Sequence, residues 1–495
     1  MNAIKINAKK LGLFTLIFML IFMFVSCDGS EVIEPDSKNT PNEGNNTEDT
    51  GQEQEPDSPP EVSNLPDMNF DGHIFKVLTR AENWGDWQAI DVYAETINGE
   101  TINDAVFQRN TVLEDKYGFS IEQVTHVDLL GQARRSISAG DEAFDAMVPT
   151  IADAVSLANA NLLYNLNDMR HLDLDRSWWD QSVRNSFDIL GRLHMMTGNI
   201  SISYDDATWV MMFNKQLHSD FGLENIYDLV AEGKWTVDKF YSLTKGVYRD
   251  LDSTSQPNVN DLFGFATHEN SVEGFFFGSG LNIVGKGSDG VPALVMNTPK
   301  ISSVLDKMVE ILYTSIDTHF TPGDNWADIQ RIFESDRALF FGEVLQCVIR
   351  LRAMDTNFGL VPYPKWDESQ ENYLSFVAGA MGIYCVPMTA SNPDRTGFIL
   401  EAMAHQSSID LTPAYFDTVL IGKQFRDEES TEMLKIIRAN RVFDLGQIFD
   451  WGNLLSGLRK LVLNGSTDFA SMYEQNSAVA QVEIDRMVEN LRNED

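Results

Sequence analysis

His73-Ile74-Phe75-Lys76-Val77-Leu78-Thr79 follows Gly72 and precedes a polar loop. A short run this rich in β-branched and aromatic residues predicts a strand. Outward from it, Asn103-Asp104-Ala105-Val106-Phe107 opens a stretch in which Ala105, Val106, Val112 and Leu113 recur at helical spacing as far as Tyr117-Gly118. Phe119 to Val124 reads as a second strand, Ala133 to Ala139 as a helix ending at Gly140, and Phe144-Asp145-Ala146-Met147-Val148-Pro149 as a third strand. Strand, helix, strand, helix, strand predicts a parallel sheet covered by helices. Ligands of such sheets bind beyond the carboxyl ends of the strands, so Thr79 to Trp87 and Pro149 to Ala152 fall on the rim of a cleft.

The chain has 495 residues, more than one core usually supports, and two domains are expected. Met195 to Tyr204 reads as a strand or crossover, and Trp209-Val210-Met211-Met212-Phe213-Asn214-Lys215 opens a second set of elements in which Thr236 is a candidate helix N-cap. Apolar content is 43%, with nine Trp and thirty Phe, which is ample for folded cores. The formal charge of −37 excludes nucleic acid as a partner, because phosphate recognition needs Lys/Arg patches.

The N-terminus is a targeting segment. Lys5, Lys9 and Lys10 precede an apolar run from Leu11 to Val25 that is short for a membrane span and closes on Ser26-Cys27. Phe24-Val25-Ser26-Cys27 resembles the bacterial lipobox, which implies cleavage before Cys27, a lipid such as palmitate on that residue, and anchoring outside the cytoplasmic membrane. From Asp28 to about Pro66, and within the interval 28–71 as a whole, Glu, Asp, Asn, Thr, Ser and Pro leave little to bury, which predicts a disordered acidic tether. Cys347 and Cys385 each lie in apolar runs and are expected to be free and buried.

Several phrases resemble the extracellular solute-binding proteins of ABC importers, in particular those for oligosaccharides. They are Glu95-Thr96-Ile97-Asn98 to Arg109-Asn110, Phe213-Asn214-Lys215 with Phe221-Gly222-Leu223, Trp235-Thr236, Phe333 to Phe340, and Gly359 to Lys365. Ile399 to Ala402, Pro413 to Asp417 and Arg426 to Ser430 extend the resemblance over nearly all of the chain from residue 72. It implies a two-lobe α/β fold of the periplasmic-binding-protein type, class II, with a three-crossing hinge near Thr197 to Tyr204, Ser375 to Ala378 and Asp444 to Phe449. Lobe one would comprise 72–197 and 378–443, and lobe two 198–377 and 444–495. Cys347 and Cys385 would then sit in different lobes, where a disulfide would pin the hinge.

Other motifs carry less. Gly285-Lys286-Gly287-Ser288-Asp289-Gly290 fits the dinucleotide pattern, but Val291 to Met296 contains Pro292 and reads as a strand where a helix is required, so a hairpin turn is expected. Asp250-Leu251-Asp252 with Asn258, Asn260 and Asp261 hints at a calcium loop, yet Ser253, Thr254 and Ser255 replace the glycine, and a solvated loop is favoured. The eight histidines show no metal spacing, no G-x-S-x-G occurs, and neither a cofactor nor a metal is expected.

Sugar rings stack on aromatic faces while their hydroxyls take hydrogen bonds from polar groups, which makes exposed tryptophan beside polar residues informative. Trp84 and Trp87 lie among Asn83, Asp86 and Gln88. The resemblance adds Tyr204, Asp205, Asp206, Ser279, Glu343 and Trp366, which occupy places where such proteins line their clefts. Trp178, Trp179 and Trp235 look like packing residues. The expected function is non-catalytic: a monomeric, lipid-anchored receptor that captures a carbohydrate and delivers it to an ABC permease. The alternatives are a surface enzyme acting on polysaccharide and a glycan adhesin.

Overall fold

The computed structural model describes residues 61–323, 325–420 and 428–493, so the leader, Cys27 and the acidic segment as far as Pro60 lie outside the described residues. Strand β1 (His73–Arg80) leads into helix α1 (Thr101–Tyr117), strand β2 (Phe119–His126), helix α2 (Leu129–Ala139), strand β3 (Ala146–Val148) and helix α3 (Ile151–Ala158). All three strands are parallel in the order β2-β1-β3, with His73 opposite Phe119 and Val77 opposite Ala146. The alternation read from the sequence therefore folds as expected. Past β3, the stretch around Gly382 to Cys385 runs antiparallel, pairing Met147 with Cys385 and Thr150 with Gly382, and Met196 pairs with Tyr384 in turn.

A second sheet holds β4 (Trp209–Asn214) and β5 (Phe263–His268). After the hairpin β6 (Val284–Lys286) and β7 (Pro292–Leu294), the chain adds β8 (Thr318–Thr321), β9 (Ala338–Val344) and β10 (Phe358–Val361). The order is β10-β4-β9-β5-β8, with β5 parallel to β8 and β9, and β4 antiparallel to β9 and β10. Every residue of β4, β5 and β9 is buried, which fits their unbroken apolar runs and a sheet covered on both faces. Gly285 to Gly290 is the hairpin expected, with Lys286 opposite Pro292. Thr236 caps its helix by accepting from the Lys239 amide.

Three chain segments meet between the sheets. Thr208 pairs with Val377, and β11 (Ser375–Phe376) runs parallel to β12 (Arg441–Val442). The segment Asp444 to Phe449, expected to hold a crossing, carries a helix over Leu445–Phe449 capped by Asp444, whose carboxylate accepts from the Gly446 amide. The extended pairing lies just upstream. Residues 61–71, read as tether, are held on the body. The Glu61 carboxylate accepts from Arg176 Nη1 at 2.8 Å and from Ser177 Oγ at 2.6 Å. These bonds hold its pKa down at about 2. Leu65 and Phe70 pack on the core, and Phe70 meets Phe398 edge-on at 5.2 Å. Two apolar anchors and one ion pair outweigh the polar composition around them. Neither Cys347 nor Cys385 is in a disulfide, both are buried, and burial pushes the Cys385 thiol up. Among the described residues no helix is long and apolar enough to cross a membrane.

Candidate ligand-binding site

Strand direction decides where the site lies. β1 and β3 end at Arg80 and Val148, while β5 and β9 end at His268 and Val344. Arg80 is almost completely buried and donates from Nη1 to the Ala380 carbonyl at 2.7 Å. Burial lowers its pKa to about 10, against the opposing pull of Asp91 and Asp153, so it stays charged at neutral pH. Its guanidinium lies 5.2 Å from the Trp84 ring centre. The helical turn Glu82–Trp87 breaks at Gly85, whose φ of 54° and ψ of −123° suit glycine alone. Trp84 is left 37% exposed on one side of the break, and Trp87 packs on the core on the other.

The loop after this turn is tied to the first crossing: Asp91 Oδ2 accepts from Ser201 Oγ at 2.7 Å and from the Ile202 amide at 2.8 Å. From the second sheet, the turn after β9 reaches the same crossing, with the Gln346 amide donating to the Asp206 carbonyl at 3.0 Å. Arg350 donates to Gln346 Oε1 at 2.9 Å. Between these pieces lies a cavity of about 440 Å³, lined by Trp87, Asp91, Ser203, Asp206, Gln346 and Arg350 among others. Its size suits a small organic ligand, and groups following strand ends of both sheets line it.

Asp206 is a strongly perturbed group there. Burial raises its carboxyl to about 7, the Asp205 and Asp91 charges push the same way, and the hydrogen bond from Tyr415 opposes them. Tyr415 Oη donates to Asp206 Oδ1 at 2.9 Å. Near neutral pH the carboxyl is thus divided between a form that only accepts and one that also donates.

No family model matches the chain, and no curated protein matches it in sequence. Solved structures do. An ABC substrate-binding protein of Listeria monocytogenes in complex with cycloalternan superposes with a TM-score of 0.53 at 13% identity, over 83% of this chain and 99% of that one. The maltose/maltodextrin-binding domain MalE of Bdellovibrio bacteriovorus bound to maltotriose gives 0.53 at 12%, over 83% and 99%. UgpB of Mycobacterium tuberculosis in complex with glycerophosphocholine gives 0.55 at 13%, over 79% and 97%. The fold is that of the two-lobed solute-binding proteins.

Within this solute-binding fold the expected site residues separate into three groups. Trp87 and Asp206 share the cavity, and Trp84 stands beside it over Arg80. Tyr204 and Asp205 belong to a buried cluster with Arg438 and Arg441 instead. Asp205 Oδ1 accepts from Arg441 Nη1 at 2.7 Å and from Arg438 Nε at 3.1 Å, Asp180 takes the other Arg441 nitrogen at 3.1 Å, and the Arg441 guanidinium covers the Tyr204 ring at 3.9 Å. Glu343, Ser279 and Trp366 lie on the five-stranded side. Glu343 Oε2 is 3.0 Å from His268 Nε2 at the carboxyl ends of β9 and β5, with the Trp209 indole 5.1 Å from the His268 ring. Lys300 links the other two, donating to the Ser279 carbonyl at 2.5 Å and lying 5.9 Å from the Trp366 ring.

A larger cavity, of about 740 Å³, borders Trp178, Tyr204 and Arg441. Arg441 is paired there with Asp180 and Asp205, and the indole N–H groups of Trp178 and Trp179 donate to Glu401, at 3.0 and 2.8 Å. Its charged lining is largely spent on the protein itself. The smaller cavity is the better candidate. Trp178, Trp179 and Trp235 are buried packing residues, as read from the sequence.

Arg80, Asp91, Ser203, Gln346 and Arg350 were not singled out in the sequence. Arg80, the last residue of the first strand, was the one with a signal, because a cation at the carboxyl end of a parallel strand sits where ligands bind. Asp250, Asp252 and Asp261 gather within 4.8 Å of one another. The loop's own donors already occupy them: Asp261 accepts from the Leu251 and Asn258 amides and Tyr248 Oη, and Asp252 from the side chains of Asn258 and Asn260.

Proposed function

We propose that this chain is the solute-receptor component of an ABC importer and that it binds a neutral carbohydrate between its lobes. The observation that carries the reading is the cavity lined by Trp87 and Asp91 after β1 and by Gln346 and Arg350 after β9, over the crossing that holds Ser203 and Asp206. An indole beside carboxyl, amide, hydroxyl and guanidinium groups suits a ring with an apolar face and a hydroxylated edge. The neighbours in complex with cycloalternan and maltotriose agree in ligand class.

The mechanism is a population shift. A ligand touching groups of both lobes binds the closed form more tightly and draws the equilibrium toward it. The closed form would then present both lobes to a permease. Lobe one would be 72–197 with 378–443 and lobe two the remainder, and a lipid on Cys27 with the acidic segment behind it would hold a monomeric receptor at the membrane. Neither the enzyme nor the adhesin reading has a specific observation in its favour.

A thermal-shift screen of the purified protein against mono- and oligosaccharides, polyols, amino acids and short peptides tests this. Glycans should raise the melting temperature and be recovered intact, and Trp87→Ala should abolish the shift. Stabilisation by peptides alone, or cleavage of the glycan, would sink the proposal.

A further inference from the structure

A further cavity, of about 320 Å³, shares no lining residue with the candidate site. Three separate parts of the chain border it: Ser182, Asn185 and Ser186 from the helix Gln181–Phe187, Asn282 and Lys286 around β6, and Arg441 of β12. Its polar lining is thus two cations, two amides and two hydroxyls, with no carboxylate among the described residues. In a chain with 74 Asp and Glu against 37 Lys and Arg, a lining of this sign runs against the composition. The carboxylates nearby in sequence are turned to other partners. Asp444 accepts from the Ile283 and Gly446 amides at 2.9 and 2.6 Å, and Asp188 accepts from Asn167 Nδ2 at 3.0 Å.

Donors stay unspent on both cations. Arg441 is 7% exposed, and its Nε–H has no acceptor although Nη1 and Nη2 are paired with Asp205 and Asp180. Lys286 Nζ donates to the Asp188 carbonyl at 2.7 Å, which uses one of its three protons. Burial pushes the Lys286 pKa down. A buried donor without an acceptor is costly, and an ammonium taken out of water is favoured by an anion beside it.

We infer that this cavity is a second binding site, separate from the carbohydrate site, for a small oxyanion of the phosphate or sulfate type. Such an ion brings acceptor oxygens alone, which match the ammonium, the guanidinium, the two amides and the two hydroxyls, and its charge meets no carboxylate in the lining. Bound there, it ties the β6–β7 hairpin to the helix Gln181–Phe187 and to β12, reinforcing the Lys286 bond to the Asp188 carbonyl.

Inorganic phosphate is the probe, added to the purified full-length protein at matched ionic strength against sodium chloride so that screening of the −37 charge cancels. At about 50 mM it should raise the melting temperature by about 1 °C or more beyond chloride and slow amide hydrogen exchange in the hairpin 284–294. Lys286→Gln removes a charge and leaves the buried Arg441 pairs in place, and Asn282→Asp puts a carboxylate into the lining at an exposed position. Each should abolish both effects. A general salting effect of phosphate acts on any surface and would survive the two substitutions. A response no larger than that to chloride, or one that either variant keeps in full, overturns the site. Neither result touches the carbohydrate reading, which rests on other residues.

Discussion

Arg441 Nη1 lies 2.7 Å from Asp205 Oδ1, which joins β12 to the first crossing by a buried ion pair. The same guanidinium reaches Asp180 at 3.1 Å, and Arg438 reaches the same Asp205 oxygen at 3.1 Å. The first crossing and β12 are thus tied through one carboxylate. Asp205→Asn leaves the buried Arg441 with Asp180 as its one carboxylate partner and takes the charged partner from the half-buried Arg438, and the loss of one member of a buried pair costs up to about 3–5 kcal/mol. Urea unfolding should show a loss of more than about 1 kcal/mol, whereas a smaller change would mean that the pair does not hold β12 to the first crossing.

The Asp206 carboxyl makes stability depend on pH in a predictable direction. Its ordinary value is 3.8 and burial raises it to about 7 in the folded protein. Between those values the folded state binds the proton more tightly than the unfolded state does, so its contribution is full below pH 4 and is lost as pH rises to about 7. The stability difference between the parent and Asp206→Asn should therefore shrink across that window by a few kcal/mol, on the order expected for a shift of this size. Tyr415→Phe removes the donor that opposes the shift and should extend the window upward. Paired denaturation curves at pH 4, 5.5, 7 and 8 measure both effects, and a difference that is flat or grows with pH contradicts the assignment.

Glu401 receives Trp178 Nε1 at 3.0 Å, Trp179 Nε1 at 2.8 Å and the Asp173 amide at 3.1 Å. Burial outweighs these bonds and lifts its carboxyl to about 7. Glu401→Gln turns one acceptor into an amide donor facing an indole N–H or a backbone N–H. An unsatisfied buried donor costs about 1–3 kcal/mol, and the thermal midpoint should fall accordingly, with a shift in tryptophan emission. An unchanged midpoint would show that the indoles find other acceptors.

Legibility in the sequence followed the range of the interactions. The parallel sheet was readable at His73–Thr79 and Phe119–Val124 because strand length, glycine stops and helical spacing are local signals. Trp84 and Trp87 were readable because they fall in the loop after the first strand. Asp205 was placed at the first crossing, but its partners Arg438 and Arg441 lie more than 230 positions away, and local pattern carries nothing over that distance. Gln346 was missed for the same reason. Its amide meets the Asp206 carbonyl 140 positions upstream, and only the fold brings the turn after β9 to that crossing.

Gly382 sets how closely the returning strand approaches the floor of the site. A Cβ built there would lie 2.7 Å from Val148 Cγ1, 3.3 Å from Arg80 Nη2 and 3.4 Å from Ser203 Oγ. Val148 is buried at the end of β3 and cannot withdraw without disturbing the core, so Gly382→Val should cost about 1–3 kcal/mol through overpacking. The side chain that can yield is Arg80, whose guanidinium would move off the Ala380 carbonyl and away from Trp84. Ligand affinity should then fall in Gly382→Val and also in the milder Gly382→Ala, by a larger factor than stability alone explains. Titration at a temperature where both variants are fully folded separates the two effects. Parental affinity in folded Gly382→Ala would show that the Arg80 position does not matter to the site.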